Sequence, residues 1–199
     1  MQELLVATRN SGKVREIKEV LGPLHFKVTS LLDYPDMPTI EEDGNSFAEN
    51  ALKKAATIAL YTKKLTMGED SGLEVKALGN KPGIHSARFS GEGATDEKNN
   101  SKLLRSLARV PLKKRLARYR CYIAVVDRKK LIGVVNGSCS GVITTKRLGK
   151  NGFGYDPLFL IPRYAKTFGE LAPSVKSKIS HRARALKKFR ELIKKHSSR

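Results

Sequence analysis

Apolar and polar residues follow two rhythms along this chain, and each predicts elements. Leu4-Leu5-Val6-Ala7 is a short apolar run that predicts a buried strand. Val14, Ile17, Val20 and Leu21 then recur at helical spacing, with Gly22-Pro23 as the expected stop. The loop Thr8-Arg9-Asn10-Ser11-Gly12-Lys13 joins this strand to this helix. A helix N-terminus presents backbone N–H groups and the positive end of its dipole, which favours an anion, and Lys13 adds a full charge there. The loop is not a Walker A loop, because the first Gly and the Ser/Thr after the Lys are missing. It could equally be a plain connection.

A second strand is predicted over Phe26-Lys27-Val28-Thr29. Glu41-Glu42-Asp43-Gly44 precedes a helix with a Ser46-x-x-Glu49 capping box, whose apolar face is Phe47, Ala51, Leu52, Ala55, Ala59 and Leu60. Dipole compensation accounts for one of the three acids and leaves one free to help bind a metal. Gly79 to Gly83 reads as a reverse turn, and Ser86 to Gly91 fits no class. Thr95 caps a helix carrying Leu103, Leu104 and Leu107, which ends by Pro111. Ala117, Tyr119, Cys121 and Ile123 alternate with Arg118 and Arg120, as in a half-buried strand with a basic face. Asp127 to Lys130 turns the chain into a strand that continues through Ile143, with Gly137 and Gly141 as possible bulges. Leu158 to Ile161 is a further strand, and the last helix starts near Ser180 and buries Leu186, Phe189 and Ile193.

Charge changes this picture. The chain of 199 residues carries 39 Lys and Arg against 19 Asp and Glu. Residues 1–100 hold 13 basic and 15 acidic side chains, residues 101–199 hold 26 and 4. An acidic-to-neutral half and a strongly basic half suit a site where a cation meets a polyanion. The same balance suits a nucleic-acid binder working through Lys113 to Arg120 and the C-terminal lysines. No apolar run approaches the ~20 residues that span a bilayer, and Met1-Gln2-Glu3 opens no signal peptide. Cys121 and Cys139 are too few and too far apart for a zinc cluster or a disulfide framework. A reducing cytoplasm fits, and the length predicts one domain or two closely joined lobes.

Gly68-Glu69-Asp70-Ser71-Gly72 carries the candidate chemistry. It reads as a Gly-flanked turn holding two adjacent carboxylates. Such acids repel each other unless a hard cation lies between them and a phosphate; the plain alternative is a solvated surface turn. Lys150 to Pro157 is Gly-rich and aromatic, so it can bring backbone and the Phe153 ring to a ligand or simply turn with Phe153 in the core. His181 and Arg182 stand in the first turn of the last helix, where cations oppose the dipole.

Together these stretches resemble one family, the inosine/xanthosine triphosphate pyrophosphatases of the Ham1/RdgB type. The resemblance rests on Ala7 to Lys13, Phe47 to Ala51, Glu69 to Val75, Pro82 to Arg88, Asn151 to Pro157, Lys176 and Ser180 to Arg182, in the family's order. It implies an α/β fold: a single ITPase-like domain over 1–199, with an elongated central mixed sheet flanked by helices and two lobes with the nucleotide cleft between them. It also implies a homodimer and Mg²⁺-dependent hydrolysis of ITP, dITP and XTP to the monophosphate and pyrophosphate. Carried over by position, Asp70 is the general base and a metal ligand, with Glu42 the other acidic metal contact. Thr8, Arg9, Asn10, Ser11, Gly12 and Lys13 form the triphosphate loop. Ser71, Phe153, Gly154, Tyr155, Asp156, Lys176, His181 and Arg182 are the remaining substrate contacts, His181 and Arg182 donating to the 6-oxo group and N7 of the base. The family usually carries Asp where Glu69 stands, which keeps the charge and lengthens the reach. A related pyrophosphatase for modified pyrimidines is the other enzymatic reading, and nucleic acid is a secondary partner.

Overall fold

The computed structural model describes residues 2–21 and 26–197. The elements are β1 (Gln2–Val6), α1 (Ser11–Leu21), β2 (Phe26–Ser30), α2 (Phe47–Thr62), β3 (Leu65–Val75), α3 (Asp96–Ser106), β4 (Leu116–Asp127), β5 (Lys130–Ile143), β6 (Phe159–Ile161), β7 (Lys166–Thr167), α4 (Pro173–Ile179) and α5 (His181–Ser197). The strands form a mixed seven-stranded sheet in the order β2-β1-β3-β4-β5-β6-β7. β1 pairs with β2 and β3 in parallel, while β6 pairs antiparallel with β5 and β7. Gly22 and Pro23, the expected stop of α1, lie outside the described residues. No described helix is long and apolar enough to cross a membrane.

The chain divides into two units, Met1–Asp70, Cys121–Gly137 and His181–Arg199 in the first, Ser71–Arg120 and Ser138–Ser180 in the second. In the first unit the period of two along each strand sorts side chains onto opposite faces. Leu4, Val6, Met67, Ile123 and Val125 join Ile17 and Leu21 of α1 and Leu186, Phe189 and Ile193 of α5 in one core. The alternating residues Ala124 and Val126 meet Ala51, Ala55 and Ala59 of α2, and Leu5 and Ala7 meet Ile58. Thus α1 and α5 cover one face of these strands and α2 the other. The alanine stripe lets α2 lie close to β3. A Cβ at Gly68 would stand 2.0 Å from the Ala51 carbonyl oxygen, so no larger residue fits there without moving the helix. Leu60, expected on the buried face, is instead 59% exposed.

Glu3 of β1, next to the edge strand β2, ties this unit together. Its Oε1 accepts hydrogen bonds from Thr29 Oγ1 at 2.9 Å, Tyr34 OH at 2.7 Å and Lys64 Nζ at 3.0 Å. The Tyr34 hydroxyl leads in holding this carboxyl down, from 4.5 to about 2, with Lys64 and Thr29 adding to it against the effect of burial. A depressed folded pKa contributes stability that is full above 4.5 and is lost as pH falls toward about 2. Glu3→Gln is therefore expected to lower the melting temperature at neutral pH and to flatten its acid dependence in this window. Parallel melting curves for the two proteins across the window would contradict the assignment.

The second unit packs Leu73, Val75, Leu103, Leu107, Tyr119, Ile143, Phe159 and Phe168 into one core. Tyr119 and Phe159 ring centroids lie 4.6 Å apart, and Phe159 and Phe168 5.3 Å apart. Of Ser86 to Gly91, which the sequence left unclassified, the first three residues close a mostly 3₁₀ segment, Gly83–Arg88. β5 runs unbroken through both of its suspected bulge positions. Its glycines permit close approach: within the first unit, a Cβ at Gly137 would stand 2.2 Å from the His181 carbonyl oxygen. In the second, one at Gly141 would stand 2.5 Å from the Leu160 carbonyl oxygen.

Candidate active site

The expected turn around Glu69 and Asp70 is the middle of β3, an eleven-residue strand. Glu69 is 1% and Asp70 4% exposed, so neither is a solvated surface acid. Adjacent strand residues point to opposite faces, and these two carboxylates do so with different partners. They do not converge on one point, as the turn reading expected.

Asp70 faces α2. Its Oδ1 accepts a hydrogen bond from Lys54 Nζ at 2.9 Å, and its Oδ2 one from Asn50 Nδ2 at 3.4 Å. The same Lys54 ammonium lies 2.9 Å from Glu42 Oε1. Asn50 Oδ1 in turn accepts from the Gly44 backbone N–H at 2.9 Å, which anchors the end of the acidic loop. Ser46 caps α2 by accepting from Glu49 N at 3.2 Å. Glu49 does not close the expected box on Ser46 but accepts from Asn45 N at 2.8 Å. Burial raises the Asp70 pKa above its ordinary 3.8, against the opposing pull of Lys54 and Lys13. Burial likewise works against the Lys54 charge, but Asp70 and Glu42 outweigh it and raise its pKa.

Glu69 faces α1 and α5. Its Oε2 lies 2.7 Å from Lys13 Nζ, and its Oε1 accepts from Arg182 Nη2 at 3.1 Å and from Cys121 Sγ at 3.2 Å. Burial alone would push this carboxyl up; Lys13 and Arg182 reverse that and hold it well below the usual range. Arg182, 2% exposed, also pairs with Glu16 of α1 through Nη1. Two carboxylates thus offset the cost of a cation in the first turn of α5. Cys121 is a buried thiol whose pKa is pushed well up by burial, with the Glu69 charge adding to it. His181 is 3% exposed beside Arg182.

The loop from Thr8 to Lys13 divides into parts. Asn10 Oδ1 accepts from the Lys13 backbone N–H at 3.0 Å, capping α1. Asn10 N donates to Thr8 Oγ1 at 3.2 Å. Arg9 reaches away, donating to the carbonyl oxygens of Leu31 at 3.2 Å, Pro35 at 3.3 Å and Met37 at 2.8 Å. Ser11 is exposed and Gly12 buried.

Within the second unit, Lys176 Nζ pairs with Asp156 and lies 5.0 Å from the Phe153 ring centroid. Asp156 Oδ2 also accepts from Phe153 N at 3.0 Å. Tyr155 OH donates to the Ser86 carbonyl at 2.8 Å, and burial raises its pKa. Gly154 is tied to α3, donating to Asp96 Oδ2 at 2.6 Å and accepting from Asn100 Nδ2 at 2.8 Å. Ser71 is half-buried.

Sequence reasoning missed Lys54, Asn50 and Glu16. A signal for Lys54 existed: it lies between Ala51 and Ala55 on the side of α2 otherwise written in apolar residues, and it is 6% exposed. Glu16 carried none, being one charged residue among several on α1.

The sequence profile of the Ham1 family matches residues 4–192. The dITP/XTP pyrophosphatase of Desulforamulus reducens is 49% identical over 191 residues, covering 96% of this chain and 95% of that protein. The dITP/XTP pyrophosphatase of Geobacter sulfurreducens is 48% identical over 196 residues, covering 98% and 96%. Among solved structures, a Ham1 protein from Coxiella burnetii superposes with a TM-score of 0.88 at 36% identity, over 98% of this chain and all of that one. The Staphylococcus aureus Ham1 protein gives 0.85 at 36% identity, over 98% of this chain.

Proposed function

This chain belongs to the Ham1 family, with its ITPase-like fold, and from that premise we propose that it is a dITP/XTP pyrophosphatase. It hydrolyses dITP, ITP and XTP to the monophosphate and pyrophosphate, clearing deaminated purines from the cytoplasmic nucleotide pool, and works as a homodimer. The observation that carries this reading is the Asp70 carboxylate, buried yet polar-bound, with Glu42 on the same ammonium.

The donor set fits Mg²⁺. Asp70 Oδ1 and Glu42 Oε1 are two hard oxygen donors gathered around Lys54 Nζ, 2.9 Å from each. Among the described residues no group of three or more His, Cys, Asp or Glu side chains is placed to hold a metal. One or two carboxylates completed by substrate phosphates and water is the way Mg²⁺ is usually held. Held by Asp70 and Glu42, Mg²⁺ would neutralise phosphate charge and lower the pKa of water.

The chain's own groups do the rest. Asp70 takes the proton of the water that attacks the α-phosphorus; the new P–O bond forms as the bond to the bridging oxygen breaks and pyrophosphate leaves. A carboxylate with a raised pKa is the better base. Lys13 and the start of α1 stabilise the charge that grows on pyrophosphate. Lys54 keeps Asp70 and Glu42 from repelling each other. His181 and Arg182 donate to the 6-oxo group and N7 of the base. Phe153, Gly154, Tyr155, Asp156, Lys176 and Ser71 are substrate contacts of the second unit, and Thr8 to Gly12 of the first.

Incubation of the protein with dITP and Mg²⁺ is expected to give dIMP and pyrophosphate in equal amounts, and chelation of the metal to stop it. Release of orthophosphate with dIDP would overturn this reading.

A further inference from the structure

Glu69 has no part in the chemistry proposed so far, yet it is the least exposed carboxylate of the site. Each of its oxygens holds one cation: Oε2 holds Lys13 at 2.7 Å, and Oε1 holds Arg182 at 3.1 Å. Its strand position turns its side chain away from the Asp70, Lys54 and Glu42 group, so only its backbone carbonyl, at 3.3 Å from Lys54 Nζ, reaches there and its carboxylate does not. Resting on the function proposed above, we infer that Glu69 is a positioning residue that fixes the phosphate-side lysine and the base-side arginine to one rigid point. The two ends of the nucleotide are then read against a common origin on β3.

The physical case is one of charge in a buried place. Lys13, Lys54 and Arg182 bring cations to one strand segment, and in the absence of phosphate they would repel one another. A carboxylate that is fully desolvated keeps its charge only with partners in good geometry, and those partners are fixed by it in return. Glu16 on α1 and Cys121 on β4 complete the surround: Glu16 takes the other arm of Arg182, and the Cys121 thiol donates to Oε1 at 3.2 Å. Lys13 and Glu16 both belong to α1, so the Glu69–Arg182–Glu16 chain also locks that helix to the first turn of α5. Cations held before substrate arrives need no reordering when it binds.

The test uses two probes that each report one end, both without added metal: pyrophosphate for the phosphate end and inosine for the base end. Equilibrium titrations are run on the wild type, Glu69→Gln, Glu69→Asp and Lys13→Met, with far-UV circular dichroism and melting curves alongside. Lys13→Met is expected to weaken pyrophosphate alone. Glu69→Gln is expected to weaken both probes together, each by about tenfold or more, which is the scale of one lost charged contact. Glu69→Asp keeps the charge on a side chain shorter by about 1.5 Å, lengthens both contacts on this backbone, and is expected to fall between. Should Glu69→Gln fail to fold, Glu69→Asp decides. A folded Glu69 variant with both affinities within twofold of wild type overturns the inference, as does loss at one end only. Wild type that binds neither probe and releases no pyrophosphate from dITP with Mg²⁺ overturns the underlying function instead.

Discussion

Asp70→Asn is expected to lower kcat for dITP by about 10³-fold or more, since a positioned general base contributes about 10²–10⁴ and this one also offers a metal oxygen. The same variant is expected to melt at or above the wild-type temperature at neutral pH. The sign follows from the shift. Burial raises the folded pKa of Asp70, so its contribution to stability is full at low pH and is lost as pH rises through the folded value. At neutral pH the ionised group therefore weakens the fold, and an uncharged isostere removes that cost. Lys54 keeps Glu42 at 2.9 Å and the Glu69 carbonyl oxygen at 3.3 Å as partners. Activity lost with the fold kept is the mark of a chemical role; activity within tenfold of wild type would take Asp70 out of the reaction.

Selection among bases is the second large effect. kcat/KM for dATP is expected to fall about 10⁴-fold below that for dITP, the scale on which a site built around one hydrogen-bonding group rejects an analogue that lacks it. The 6-oxo group accepts, whereas the 6-amino group of adenine donates. A donor facing it, in a place as dry as that of His181 and Arg182 at 3% and 2% exposure, is left unpaired. Glu16 and Glu69 fix the direction of the Arg182 guanidinium, so it cannot swing to accommodate the wrong base. Steady-state rates on the two nucleotides check this, and a ratio under tenfold would contradict it.

Much of this arrangement is legible in the sequence because it is local. The strand–loop–helix joint at Thr8 to Lys13, the Ser46 cap and the alternation of Tyr119 and Cys121 against Arg118 and Arg120 are set by neighbours within a few residues. The segment from Gly68 to Gly72 shows where that reasoning stops. Glycines flanking two acids predict a turn. Gly68 serves instead to let α2 touch β3, a demand set by Ala51 and Ala55 of α2, more than a dozen residues away. Once the segment is a strand, Glu69 and Asp70 separate onto two faces, and a pair that reads as one metal clamp becomes two carboxylates with different hydrogen-bond partners, both within the field of Lys13. Buried charges resist sequence reading for the same reason. Lys54 and Glu16 look like solvated helix residues until Asp70 and Arg182 are brought to them by the fold. β7 and α4, at two and seven residues, are too short for periodicity to register.

The central claim is that water, deprotonated at Asp70, attacks the α-phosphorus. Hydrolysis of dITP in ¹⁸O-enriched water tests it most directly, by locating the label in the products by mass spectrometry. The account predicts one ¹⁸O in dIMP and none in pyrophosphate; label in the pyrophosphate would place the attack at the β-phosphorus and contradict it.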